Sequence, residues 1–262
     1  MGRLLFFLVI FNLNIFAQFY LSAKNVGLAE SSLFDSTSIG FVNNPSVLSL
    51  NKKEYFAFSF TPDYFDLNEL QNFALSTNLT ILKHRVGLSI NYLGFDKYFE
   101  LKTNLVFCKQ FNNLILGLNA NLTHYYIENS SPKNILNFNL GFIYKISNVF
   151  KIAFVSNNLL SVLTPVNYFS QNFNMNAGIN YKFKYGNLFF LFAFEENYKP
   201  TEKFGIEIPL IQAFTFRIGK SFSPSIYSFG FTLRLNQFSI DYGTLIHTYL
   251  SNIHSLTLAY SF

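Results

Sequence analysis

Tryptophan is absent from this chain of 262 residues and cysteine occurs once. Beyond its first residues there is also no apolar run of the roughly 20 residues that a membrane-spanning helix needs. A single thiol, Cys108, cannot close an internal disulfide, and it reads as a small filler on an inward strand face. Charge is scarce: Asp, Glu, Lys and Arg make up 13 % of residues, where about a quarter is usual for a soluble domain. The net charge is +5, but the Lys and Arg are scattered through the chain, which argues against a nucleic-acid partner. His84, His124, His247 and His254 are far apart and lack metal-ligand spacing. No Gly-rich phosphate loop or nucleophile elbow is present. The expectation is a protein without catalytic residues, metal or cofactor.

What is abundant is apolar and aromatic side chain: half the residues are hydrophobic, with 35 Phe and 16 Tyr. Without long apolar runs, these residues must alternate with polar ones. A soluble sheet carrying that much Phe outward would aggregate. The last residues show the pattern best. Ile253, Ser255, Thr257, Ala259 and Ser261 alternate with His254, Leu256, Leu258, Tyr260 and Phe262. A pleated strand sends successive side chains to opposite faces, and a transmembrane barrel strand shows one face to lipid and the other to a lumen. In the same way Met175, Ala177, Ile179, Tyr181 and Phe183 oppose Asn174, Asn176, Gly178, Asn180 and Lys182.

From residue 53 onward fourteen such segments can be read. Those at 188–195 and 203–208 alternate least clearly and leave twelve as the alternative. The fold class is all-β: a transmembrane, antiparallel, up-and-down β-barrel spanning 53–262. Tight turns at Lys83-His84, Asn112-Asn113, Ser147-Asn148, Gly186-Asn187, Pro209-Leu210 and Asn236-Gln237 alternate with longer connections, of which 159–170 is the longest. Asp96-Lys97 is the one short member of the second set. Bacterial barrels keep short turns in the periplasm, so the barrel begins and ends there.

Residues 1–17 read as a secretory signal peptide. Met1-Gly2-Arg3 is a basic start, 4–11 are apolar, and Ala17 marks the cut. Asn12 and Asn14 interrupt the run and disfavour a membrane anchor. Residues 18–52 do not alternate and are rich in Ser, Ala and Gly. They form either a periplasmic leader or a plug folded into the lumen. In the second case small residues allow close approach to the wall, and Asn44 and Pro45 set a turn.

Glu100, Lys102, Lys151, Lys182, Glu207, Arg217, Arg234 and Asp241 fall on the register opposite lipid. They form either a salt-bridged interior that holds a plug or the lining of a selective pore. Their mixed signs favour the first. Tyr92, Tyr126, Tyr144, Tyr181, Tyr242 and Tyr260 share the lipid register and read as interfacial girdles.

Three short stretches, 23–29 (AKNVGLA), 35–38 (DSTS) and 44–48 (NPSVL), resemble the opening of the FadL-type superfamily of outer-membrane barrels. That superfamily includes fatty-acid channels and the PorV and PorQ proteins of type IX secretion. The family favours Ala and Gly where this chain has Ser46 and Val47. The 155–159 stretch (VSNNL) resembles a turn of PorV-like members. The resemblance implies a fourteen-stranded barrel in the bacterial outer membrane. Leu258, Tyr260 and the terminal Phe262 look like the signal by which the barrel-assembly machinery recognises its clients. Outer-membrane lipid is the expected surroundings. A docking or scaffold role in protein secretion, PorV/PorQ-like, is the first functional expectation, because the long apolar capture loops of fatty-acid channels are missing. The alternative is a FadL-like channel for a hydrophobic ligand. On the register alone, Leu258→Arg should cost roughly 2–4 kcal/mol near the midplane, whereas Thr257→Arg should be tolerated; equilibrium unfolding in bilayers compares the two.

Overall fold

The computed structural model describes residues 22–262 except 38, 52, 65–66, 68, 83, 163–171, 196–197 and 249. The signal peptide expected at 1–17 lies outside the described residues, as does part of the longest outer connection. The strands are β1 (Tyr55–Thr61), β2 (Gln71–Ile81), β3 (His84–Phe95), β4 (Tyr98–Phe111), β5 (Leu114–Ile127), β6 (Lys133–Lys145) and β7 (Phe150–Asn157). They continue as β8 (Asn174–Phe183), β9 (Gly186–Glu195), β10 (Thr201–Ile211), β11 (Phe214–Ser221), β12 (Ile226–Leu235), β13 (Phe238–His247) and β14 (Ile253–Ser261). Each pairs antiparallel with its chain neighbours, and β1 closes on β14 from Tyr55↔Ser261 to Phe60↔Leu256. Among the described residues no helix is long and apolar enough to cross a membrane.

Fourteen strands replace the twelve-strand alternative, because the two weakly alternating segments are β9 and β10. Phe189 and Leu191, which face inward, are apolar and buried, and this blurs the expected polar face of β9. Two turns also move. Gly186 opens β9, and a side chain there would collide with the Glu207 backbone, so this glycine serves close strand approach. Pro209 lies inside β10 next to a register shift between Pro209 and Ile211, where an absent N–H costs little. The turns at Asn112 and Asn236 stand as read, and both asparagines take the positive φ that asparagine tolerates best.

Exposure follows the expected faces. Along β14 Leu256 and Leu258 are open while Ser255 and Thr257 are buried. Leu75, Leu88, Ile90, Leu105, Leu118, Leu140, Phe154 and Phe229 extend this open apolar surface around the barrel. In water such a belt would be a severe liability; in hydrocarbon it is the matching solvent.

The interior is occupied by the chain that precedes β1. Helix α1 (Ala23–Val26), helix α2 (Gly40–Asn43) and a 3-10 turn (Pro45–Ser49) are almost entirely buried. The first packs against β12 to β14, and the 3-10 turn packs against β3 to β6. Asn44 caps the 3-10 turn: its Oδ1 accepts from the Ser46 N–H at 3.1 Å, its Nδ2 donates to the Leu33 carbonyl at 2.7 Å, and Pro45 follows at the first turn position. Gly27 lies directly against Gly230 of β12, where a side chain on either would meet the other's backbone.

This contact overturns the tolerance expected of Thr257→Arg. The Thr257 Oγ1 accepts from the Ala23 N–H at 3.0 Å, and the residue is 0 % exposed. Its partner on the wall is the Ser59 hydroxyl, at 2.9 Å. An arginine there cannot reach water without expelling α1. Thr257→Arg is therefore expected to fail alongside Leu258→Arg, while Thr257→Ser stays near wild type because it keeps the hydroxyl. Unfolding in bilayers with the three variants side by side checks this.

Candidate functional site

The segment inside the barrel is held to one side of the wall by charge. Glu207 of β10 and Arg217 of β11 are direct cross-strand partners, and the Arg217 Nε donates to Glu207 Oε2 at 2.8 Å. The Arg217 Nη1 lies 3.5 Å from Asp241 Oδ1 of β13, and Asp241 also accepts from the Thr232 hydroxyl. Lys24 of α1 inserts between wall and segment, with its Nζ 3.4 Å from Glu207 Oε2 and 3.5 Å from Asp35 Oδ1. Asp35 is held in turn by the Ser22 hydroxyl at 3.0 Å. Burial works against the Lys24 ammonium, but Glu207 and Asp35 outweigh it and hold the group above the ordinary lysine value. A second link, Lys203 to Glu30 at 2.7 Å, ties β10 to the loop after α1.

Of the inward charges read from the sequence, the structure brings three together: Glu207, Arg217 and Asp241. The others lie elsewhere on the same inner face. Glu100 and Lys102 sit in the outer half on β4, where the Tyr98 hydroxyl donates to Glu100. Lys151 and Lys182 lie at the periplasmic ends of β7 and β8. Arg234 is exposed near the periplasmic end of β12 and reaches the Thr215 hydroxyl at 3.1 Å. Leu258 faces outward, and Tyr260 stacks between Phe238 and Phe262 at the periplasmic rim. His124 pairs with Asn134 at 2.8 Å and His254 with the Tyr242 hydroxyl at 2.7 Å. Among the described residues no group of His, Cys, Asp or Glu could hold a metal.

Lys24 and Asp35 escaped the reading of charges, although both lie in stretches that carry the family resemblance. The available signal was scarcity: an isolated cation and an isolated carboxylate in a segment otherwise built of small residues.

Above the 3-10 turn, the β2 to β5 wall presents amides and hydroxyls. Asn104 Nδ2 donates to Ser89 Oγ at 3.0 Å, Asn119 Nδ2 to Asn104 Oδ1 at 3.1 Å, and Asn91 Nδ2 to Asn72 Oδ1 at 3.1 Å. Among the described residues the longest break in the wall ladder lies in its outer half, beside β6. β7 pairs with β6 only from Leu140 to Lys145, so the β6 residues from Lys133 to Asn139 have no β7 partner. The short 3-10 turn Leu159–Val162 covers this gap, and the Asn158 N–H donates to Asn139 Oδ1 at 2.9 Å.

No family model and no curated protein matches the chain. Solved structures do. A Pseudomonas aeruginosa FadL homologue aligns with a TM-score of 0.65 at 11 % identity, covering 92 % of this chain and 98 % of that one. The Pseudomonas putida toluene transporter TodX aligns at 0.62 with 10 % identity, covering 84 % and 92 %. CymD, a monoaromatic hydrocarbon channel, aligns at 0.64 with 12 % identity, covering 86 % and 93 %. The likeness is one of fold: a closed fourteen-stranded barrel like those of the FadL homologue and the hydrocarbon channels.

Arg217→Met leaves Glu207 and Asp241 buried with one cation fewer, and should cost about 3–5 kcal/mol in equilibrium unfolding. The raised Lys24 value fixes the sign of a pH effect. The Lys24 contribution is complete below the ordinary lysine pKa of 10.5 and is lost as pH climbs past the higher folded value. Unfolding followed from neutral to strongly alkaline pH should show that loss in the native protein and a smaller one in Lys24→Met.

Proposed function

We propose that the protein is an outer-membrane channel for hydrophobic small molecules, closed at rest by its own N-terminal segment and entered through the side of the wall. The observation that carries this reading is the largely buried segment from Ser22 to Leu50, which occupies the lumen that a general porin keeps open to water. An apolar solute does not require one. Dissolved in the outer leaflet, it meets the wall from the side, and the gap beside β6 is where that wall has lost its strand pairing. The aromatic rings at the outer end, Phe60, Phe73, Tyr92, Phe99 and Tyr126, form a stacked series on the lipid face that adjoins this region.

The structures this chain resembles include a toluene transporter and a monoaromatic hydrocarbon channel. They support the channel better than the PorV/PorQ-like docking role expected from the sequence. In this reading the residues position and admit a solute and carry out no chemistry on it.

Expression in a strain with an intact outer membrane should raise the initial rate of labelled toluene uptake severalfold and leave glucose uptake unchanged. Equal toluene rates with and without the protein would remove the channel reading. In planar bilayers, deletion of residues 22–50 should raise single-channel conductance. An unchanged trace would show that the segment is not what closes the lumen.

A further inference from the structure

We infer that the periplasmic mouth of the barrel, on its β6 to β8 side, is a docking surface for a carboxylate-rich segment of a periplasmic protein. Lys145 of β6 and Lys151 of β7 are direct cross-strand partners on the inner face. Lys182 of β8 shares that face, two residues beyond Asn180, the partner of Lys151. Like charges placed opposite each other on a sheet destabilise it. Among the described residues none of the three has a carboxylate within ion-pair distance, and Lys145 reaches only the Gln110 side chain, at 3.4 Å. Lys24, Lys203 and Arg217, the inward cations nearest the buried segment, are each paired with a carboxylate, whereas these three are not.

Three considerations select the occupant. The three ammonium groups face the mouth and not the bilayer, so lipid headgroups do not reach them. The lumen above is filled, so in this state the cluster is approached from the periplasm. Finally, the basic surface is wider than a small anion. Lys53, Lys184 and Arg234 lie at the same end, beside the half-buried Glu54, whereas the exposed Glu69, Asp96, Glu128 and Glu202 stand among the lysines of the outer end. A protein-sized acidic partner matches that footprint and relieves the Lys145–Lys151 repulsion. The inference depends on the orientation of the barrel and not on what passes through it.

The test uses the full protein in nanodiscs of zwitterionic lipid and a fluorescein-labelled hexa-aspartate peptide at physiological salt. Saturable one-to-one binding is expected, weakened about tenfold or more by the combined Lys145→Glu, Lys151→Glu and Lys182→Glu changes, and little affected by Lys97→Glu, Lys133→Glu and Lys199→Glu at the outer end. Because charge reversal could disturb folding, Lys145→Gln, Lys151→Gln and Lys182→Gln are measured in parallel, after heat-modifiable mobility confirms a folded barrel. Partial weakening is expected from that set. No saturable binding, equal losses from the two reversal sets, or unchanged binding in the glutamine set would each overturn the inference.

Discussion

Hydrocarbon contains no partner for a backbone N–H or C=O, and each group left unpaired there costs several kcal/mol. That constraint dictates the closed ring. Every strand of this barrel finds both neighbours, and the Tyr55↔Ser261 register removes the last edge. It also explains why the stretch of β6 without a β7 partner is covered by a 3-10 turn and by the Asn158 to Asn139 hydrogen bond instead of lying bare. A wall this strict can open sideways only where the ladder is already incomplete.

Closure creates a second problem, which is a lumen whose inner face must be solvated or filled. Here it is filled, and by chain that could not have formed a strand. The segment from Ser22 to Leu50 is short of alternation but rich in small residues, so its backbone comes close to the wall, as at Gly27 and Gly230. Some of its polar groups are satisfied locally, as when Asn44 binds both Ser46 and Leu33, and others by the wall, as when the Ala23 N–H donates to Thr257. The outer belt and the inner filling therefore follow different rules. Outside, apolar side chains need only face lipid. Inside, backbone must fit against backbone and charge against charge.

This difference explains what could be read in the sequence. The period of two, the turn asparagines and the terminal alternation from Ile253 to Phe262 depend only on local geometry and on lipid, and they were legible. The turns near Gly186 and Pro209 were misplaced because both residues also serve close packing and strand ends, and composition does not separate these uses. The facing of Glu207, Arg217 and Asp241 was legible, but their convergence was not. It needs the register of β10, β11 and β13 together with the path of a segment more than a hundred residues earlier in the chain. Thr257 shows the same limit: its inward face follows from periodicity, while its bond to Ala23 does not.

The use of charge to hold the segment calls for its own reason, since burying two cations and three carboxylates yields little net stability and well-packed apolar groups of similar size often do as well. What charge adds is position. Apolar surfaces slide past one another at modest cost, but moving Lys24 away from Glu207 and Asp35 strands ions in a site from which water is excluded. The segment is therefore fixed on the β10 to β13 side and held against β3 to β6 by capped turns and packing without ion pairs. The two sides differ in what it costs to separate them, and the cheaper side is the one next to the gap in the wall. If the lumen opens, the physical asymmetry favours movement of the Pro45–Ser49 turn away from β3 to β6 while the ionic anchor stays in place.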